Sequence, residues 1–237
     1  MSDFTPPPPV PPAGMPVPPP LNQWSHPVQP PAPAQPPMLV RPLRGIGTAV
    51  RWLIAASALS SLFVIAVEAM GVLAIDRFLD GSAGIEALES YDALSTPTTL
   101  LSSALLLATG ICWVIWQHRA ASSVPPNALR RSPGWHVGSW FIPVVAWWFP
   151  VQNISDLIRA SRAAVSSGAV AAWWTLWVAG NLAYMIVNRL AFGADSLPQL
   201  SAAAIISIIG EALTIGAAVF AWLIVARITD ALDPAAR

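Results

Sequence analysis

The 237-residue sequence contains no lysine and a single cysteine, Cys112, and charged residues make up only 10% of it. A typical soluble domain carries about 25% charged residues, so this chain lacks the charge that a water-exposed surface needs. One cysteine excludes an intrachain disulfide and a cysteine metal cluster. The formal net charge is zero, which gives no support for nucleic-acid binding. With 55% hydrophobic residues, the composition indicates a polytopic membrane protein.

Proline divides the chain into two unequal parts. Seventeen of the 25 prolines lie within residues 1–42. Because proline fixes φ and has no N–H to donate, we expect residues 1–44 to form a disordered, proline-rich cytoplasmic tail. Two interpretations of the tail are open. It is either a solvated spacer, or a ligand that offers P-x-x-P spacing to a proline-binding protein partner.

Five hydrophobic stretches follow the tail. A helix needs about 20 apolar residues to cross the hydrocarbon core of a bilayer, and four stretches meet this requirement without interruption. The fifth, at residues 135–164, contains Pro143 and Pro150, which each remove a helix hydrogen bond. The sequence therefore predicts an all-α membrane domain at 45–230 with a proline-broken segment, re-entrant or interfacial, and a cytoplasmic C-terminus at 231–237. The spans are expected at about 49–74, 95–117, 169–190 and 202–226.

The arginines distinguish a four-span from a five-span topology. Basic residues in loops collect on the cytoplasmic side of a membrane. If the broken segment does not cross, ten arginines are cytoplasmic and only Arg77 and Arg189 are external; if it crosses, the division is seven to five. The pattern predicts four spans, a multi-pass location in the cell membrane and two cytoplasmic termini. The basic face is expected to attract anionic lipids of the bilayer.

The second half of the broken segment has an amphipathic pattern. Val151, Ile154, Leu157 and Ile158 fall on one side of a helical wheel, with charged residues elsewhere. Such a stripe is typical of a helix that lies in the membrane interface.

A motif of small, aromatic and proline residues surrounds the break. It comprises Ser132, Pro133, Gly134, Trp135, Val137, Gly138, Trp140, Phe141 and Pro143, followed by Pro150 and Gln152. With the proline-rich N-terminus, this motif resembles the bacterial membrane family called domain of unknown function 4328. The resemblance covers roughly residues 45–230 and implies a polytopic membrane domain of unknown activity. Family members often carry Asn where this chain has Ala146, and a basic residue where it has Phe149.

Ionisable residues inside a bilayer are costly and are functional candidates by default. Glu68 and Glu211 are each expected about 10 Å from the external end of a span, counting 1.5 Å per residue. Arg189 and Asn188 lie at the external end of the third predicted span, 169–190, and Asn181 lies about two turns deeper. The sequence predicts that these five residues form one polar cluster. Two interpretations are open: a structural pair that holds helices in register, or a site open to the outside for a cation, a proton or a small polar solute.

Catalytic patterns are absent from the sequence. It contains no glycine-rich phosphate loop, no nucleophile elbow and no H-E-x-x-H motif, and its three histidines lack metal-ligand spacing. We therefore expect no cofactor, no metal site and no enzymatic activity. The leading hypothesis is a non-enzymatic membrane scaffold or interaction module, and the alternative is a solute- or ion-handling protein built on the predicted cluster. The sequence indicates no oligomeric state.

Overall fold

The computed structural model describes residues 43–233 of the protein, and every regular element within that range is helical. The predicted tail therefore lies outside the described residues except for its last two, which begin the first helix. Of the predicted C-terminal end, residues 231–233 are described. In chain order the α-helices are α1 (Leu43–Leu79), α2 (Ile85–Ser122), α3 (Trp135–Gly138), α4 (Phe149–Ser161), α5 (Ser167–Phe192) and α6 (Leu197–Leu232).

Four of these helices, α1, α2, α5 and α6, are long and apolar enough to cross a membrane. Each contains one of the four predicted spans, so the prediction of four membrane-length helices is confirmed. At 1.5 Å per residue, α1, α2 and α6 are each about 55 Å long, which exceeds the ~30 Å hydrocarbon core. Their ends therefore extend beyond the apolar part of a bilayer.

Local sequence explains where the helices begin and end. After α1 the chain turns at Gly81, whose φ of 77° lies in the left-handed region that glycine adopts at little cost. The backbone N–H of Ser82 donates to Oδ1 of Asp80 across this turn at 2.8 Å. Helix α5 begins with Ser166 as its N-cap, whose hydroxyl accepts the N–H of Ala169.

The four long helices pack side by side in the order α2, α1, α6, α5. The start of α1 lies against the end of α6, because Nε of Arg44 is 3.0 Å from Oδ2 of Asp233. The end of α2 meets the same region, since Nε1 of Trp116 donates to Oγ1 of Thr229. The indole rings of Trp113 in α2 and Trp173 in α5 are 5.6 Å apart. One end of the bundle therefore holds the starts of α1 and α5 and the ends of α2 and α6.

We call this the arginine-rich end, because it carries most of the arginines of the described chain. They are Arg44, Arg51, Arg119 and Arg227 on the long helices, and Arg130, Arg131, Arg159 and Arg162 between α2 and α5. The largest apolar core also lies here. It joins the fully buried side chains of Val50, Trp116, Ile154, Leu157, Ile224 and Ile228 from α1, α2, α4 and α6.

Residues 123–166, the connecting segment, join α2 to α5 at the arginine-rich end. A 3₁₀ turn at Pro126–Ala128, the single turn of α3, another 3₁₀ turn at Val145–Trp147 and the 13 residues of α4 make up its regular structure. The hydrophobic stretch at 135–164 is therefore broken by turns, and it does not form a helix of membrane length. Pro150 serves as an N-terminal residue of α4, where its missing N–H costs no helix hydrogen bond.

The amphipathic stripe of α4 has a different partner from the one that its pattern indicated. Ile154 and Leu157 are fully buried, and Val151 and Ile158 pack against the same core. These side chains therefore contact the helix bundle rather than lipid. A helical wheel identifies an apolar face but does not identify what covers it, and here the covering surface is protein.

Candidate functional site

The two carboxylates of the predicted cluster lie on the facing helices α1 and α6. Glu68 and Glu211 are close enough to repel each other electrostatically. The hydroxyl of Tyr91 donates to Oε2 of Glu68 at 3.0 Å, and the side chain of Tyr184 interacts electrostatically with Glu211. Glu211 is buried, and Glu68 is partly buried. The structure therefore places the two carboxylates within reach of each other's charge, with a tyrosine beside each of them.

The other three members of the predicted cluster lie on an exposed face of α5. Asn181 donates to the backbone oxygen of Trp177 in its own helix at 2.7 Å. Asn188 and Arg189 line a shallow hollow of about 530 Å³ with Met185, Phe192 and Gly193. Within residues 43–233, Arg189 forms no salt bridge to a carboxylate.

The rotation of α5 explains this separation. Gly180, Ala183 and Tyr184 lie on the face of α5 that packs against α6. A Cβ at Gly180 would lie 3.5 Å from the backbone oxygen of Gly210. Asn181 and Asn188 are two turns apart on a neighbouring face, so both point elsewhere. Depth along a helix could be predicted from the spans, but rotation about its axis could not.

A second polar group, which the sequence did not single out as a site, is buried beneath the connecting segment. Its members are all fully buried, and they come from α2, α3, α4 and the residue after α3. They are Gln117, His136, Ser139, Asn153 and Asp156. Buried polar groups of this kind need hydrogen-bond partners, and the connecting segment supplies most of them.

Asp156 has 0% side-chain exposure and is held by two arginines. Its Oδ1 atom lies 2.7 Å from Nη2 of Arg159 and 3.4 Å from Nε of Arg130, and its Oδ2 atom accepts the backbone N–H of Arg130 at 3.2 Å. The side chains of Arg130 and Arg159 are 54% and 59% exposed. One buried carboxylate therefore fixes two guanidinium groups that remain open to solvent.

Arg131 uses a different set of partners. Its guanidinium donates to Oε1 of Gln152 at 2.7 Å and to Oδ1 of Asn153 at 3.3 Å. It also lies over the ring of Phe149, 3.5 Å from the ring centroid. Both acceptors are neutral amides, and Arg131 forms no ion pair with a carboxylate of residues 43–233.

The family comparison covers this region of the chain. The family described as Domain of unknown function (DUF4328) matches residues 81–230, which is more than half of the sequence. The chain belongs to this family. The searches of curated proteins and of solved structures found no match.

The motif residues of this DUF4328 member hold α4 and the connecting segment against α2. Nδ2 of Asn153 donates both to the backbone oxygen of Trp135 and to Oγ of Ser139. Nε1 of Trp140 donates to Oε1 of Gln117 at 3.0 Å. Two motif residues, Trp135 and Trp140, therefore take part in the hydrogen bonds that fix the connecting segment in place.

Phe149, the second position at which a departure from the family pattern was expected, lies beneath a cation. The guanidinium of Arg131 covers its ring. Such cation–π contacts are typically worth about 0.5–2 kcal/mol.

Tryptophan rings fill the space between α2 and α5 at the arginine-rich end. Trp140 of the connecting segment lies 6.3 Å from Trp113 of α2 and 5.3 Å from Trp177 of α5, both edge-on. Trp174 stacks on Trp177 at 5.1 Å. Aromatic pairs at these distances add about 0.5–1.5 kcal/mol each to their burial, so this end of the DUF4328 domain is tightly closed.

His136 lies within the buried group without a hydrogen bond. Neither ring nitrogen has a partner among the described residues. Burial lowers the pKa of His136 to about 4; the Asp156 carboxylate raises it only in part, while Arg131 and His118 lower it further. His136 is therefore neutral near pH 7. Since its ring is not hydrogen-bonded to Ser139 or Asp156, these three side chains do not form a nucleophile–base–carboxylate array.

A run of exposed apolar side chains precedes α4. Phe141, Ile142, Val144, Trp147 and Trp148 are all exposed, Phe141 to 74%. They lie between Pro143 and Pro150 or directly beside them, where the chain forms only short turns. Contiguous exposed apolar side chains of this kind are a candidate surface for contact with lipid or protein.

Proposed function

We propose that the protein is a non-enzymatic membrane scaffold whose arginine-rich end faces the cytoplasm. In this account the connecting segment is a fixed platform. The single observation that carries the proposal is the buried polar group beneath this segment. Asp156, Asn153 and Gln117 are buried there, and their hydrogen bonds hold the surface above them in one conformation. The same surface presents apolar side chains along 141–148 and basic ones at Arg130 and Arg159.

The exposed apolar run supports a membrane-facing role for part of the platform. Trp147 and Trp148 match the amphipathic aromatic residues that favour the headgroup level of a bilayer, and Phe141 adds an exposed apolar ring. In this proposal the run dips into the cytoplasmic leaflet without crossing it, and the arginines around it attract anionic lipid at about 1 kcal/mol each near the surface. Both chain termini are cytoplasmic, and the membrane is the cell membrane.

The remaining surface of the platform and the proline-rich tail are the proposed contacts for a protein partner. A photo-crosslinking amino acid at Ser155, an exposed residue of α4, distinguishes contacts made by the platform from contacts made by the tail. It is placed both in full-length protein and in protein lacking residues 1–42. The matched control position is Ser82, in the turn at the opposite end. A scaffold that works through its platform gives a protein adduct at Ser155 that survives the deletion. Adducts at neither position, together with no partner that depends on the tail, would contradict the scaffold.

A second candidate function rests on the proximity of Glu68 and Glu211. Two carboxylates whose charges interact, on the facing helices α1 and α6, could take a cation or a proton from the outside, with the hydroxyl of Tyr91 bonded to Glu68. We propose this as the alternative function: handling of an ion or small solute. The site does not include Arg189, so it lacks the positive charge that would favour an anionic solute.

Thermal unfolding of purified protein with and without added Na⁺ tests the alternative. A cation site predicts that Na⁺ raises the melting temperature and that Glu68→Gln and Glu211→Gln abolish the increase. The control is Asp195→Asn, an exposed carboxylate near the same end. Poor folding of both glutamine variants, with no effect of cations on the unmodified protein, would instead indicate a structural pair.

A further inference from the structure

Two exposed arginines at the arginine-rich end are fixed by one buried carboxylate. Arg130 approaches Oδ1 of Asp156 through Nε, and Arg159 approaches the same oxygen through Nη2. The terminal nitrogens of Arg130 and the second terminal nitrogen of Arg159 have no acceptor among the described residues. The two guanidinium groups therefore share one carboxylate oxygen, and both remain more than half exposed with donors available to a ligand.

The charge around these two groups is not balanced. Asp156 offsets one of the charges of Arg130 and Arg159, and Arg131 beside them is bonded only to amide oxygens. A net positive charge therefore remains at this point of the surface. Arginine forks bind phosphate oxygens through paired, charge-assisted hydrogen bonds, and fixing their orientation beforehand reduces the entropy lost on binding.

The position of Arg130 and Arg159 indicates what kind of molecule would carry the phosphate. At the same end of the bundle, Trp52 is 67% exposed and packs edge-on against Trp222, whose ring is covered by Arg51. Exposed tryptophan beside arginine is typical of the headgroup level of a bilayer. The apolar run at 141–148 belongs to the same connecting segment as Arg130 and Arg159.

We infer that Arg130 and Arg159 form a phosphate-binding fork for the headgroup of an anionic phospholipid, oriented by Asp156. This inference deepens the proposed function, and it rests on the proposed contact of the arginine-rich end with lipid headgroups rather than on which leaflet that end meets. The two arginines supply the hydrogen bonds to the phosphate. Asp156 is a positioning residue that does not touch the lipid.

Thermal unfolding of the full-length protein in a neutral detergent tests the fork with three probes. They are short-chain phosphatidylglycerol, short-chain phosphatidylcholine and inorganic phosphate. The fork predicts that phosphatidylglycerol raises the melting temperature more than phosphatidylcholine does. Arg159→Gln should raise the half-maximal phosphatidylglycerol concentration about tenfold, the equivalent of losing one charged hydrogen bond.

The matched control is Arg162→Gln, which removes the same charge one turn further along without touching Asp156. It should leave the phosphatidylglycerol response unchanged. If Arg159→Gln folds poorly, Arg159→Lys keeps the charge and should retain part of the response. An equal loss in Arg162→Gln and Arg159→Gln would overturn the fork in favour of general charge attraction, and so would equal effects of the two lipids on the unmodified protein. A full response to inorganic phosphate alone would overturn the assignment to lipid.

Orientation in the membrane does not affect lipid binding in detergent. A failure of the fork therefore leaves the proposed cytoplasmic platform standing. A reversed orientation measured in cells would remove that platform while leaving the fork intact as a binding site.

Discussion

Nε1 of Trp116 donates a 3.0 Å hydrogen bond to Oγ1 of Thr229, 113 positions further along the chain, and both side chains are buried. This bond ties the end of α2 to the end of α6 although α1 lies between these helices. Thr229→Val keeps the shape of the side chain and leaves the indole N–H without an acceptor. We expect the free energy of unfolding to fall by about 1–2 kcal/mol. Thermal or denaturant unfolding in detergent measures it, and Thr175→Val, at an exposed position of α5, should have little effect.

Thr229 also limits the size of the side chain that α1 can accommodate at Gly47. A Cβ added at Gly47 would lie 2.6 Å from Oγ1 of Thr229, whereas one added at Gly45 would meet nothing within 4 Å. Gly47→Ala should therefore destabilise the protein by about 1–3 kcal/mol through overpacking. Gly45→Ala is the matched control, and it should be neutral or stabilising by up to about 1 kcal/mol because alanine favours a helix. Equal melting temperatures for the two variants would contradict the close approach of α1 and α6.

Acid should destabilise the protein through His136. The unfolded chain binds a proton at this histidine near pH 6.5, but burial lowers its pKa in the folded chain to about 4. The unfolded state therefore binds more protons between these values, so stability falls as the pH drops from about 6.5 to 4. Melting temperatures measured across this range should decline. His136→Phe should lose that part of the decline, whereas His118→Gln, at an exposed histidine, should keep it.

The two arginines on Asp156 should show non-additive effects. Each is more than half exposed, and either one alone still pairs the buried carboxylate, so Arg130→Gln or Arg159→Gln should cost about 1 kcal/mol or less. The double variant leaves Asp156 with only the backbone N–H of Arg130. Its cost should rise to about 3–5 kcal/mol, the range for a buried charge that has lost its partner. A double-mutant cycle measures the difference, and simple additivity would show that Asp156 does not depend on either arginine.

The four membrane-length helices could be predicted because their signal is a property of each segment alone. Apolar length and the absence of charge identify a span, and Pro143 and Pro150 mark the stretch that is not one. The rotation of each helix depends on its neighbours. Asn181 was therefore expected near Glu211, but it faces away, while Tyr184, three residues later, faces α6 and was not expected there.

The buried polar group could not be predicted for a related reason. Asn153 borders the apolar stripe of α4 and Asp156 lies beyond it, and a helical wheel assigns polar residues at these positions to solvent. They are buried because residues 130–139 fold over them and supply Arg130, Trp135 and Ser139 as partners. The one signal in the sequence was position, because Asn153 directly follows Gln152, the last residue of the motif.

The central claim is that the arginine-rich end is cytoplasmic and that the connecting segment does not cross the membrane. Single cysteines at Ser82 and Ser166, in protein in which Cys112 is replaced by alanine, test it directly with a membrane-impermeant maleimide. The account predicts that Ser82→Cys is labelled in intact cells and that Ser166→Cys is labelled only after the membrane is opened. Labelling of Ser166→Cys in intact cells would contradict it.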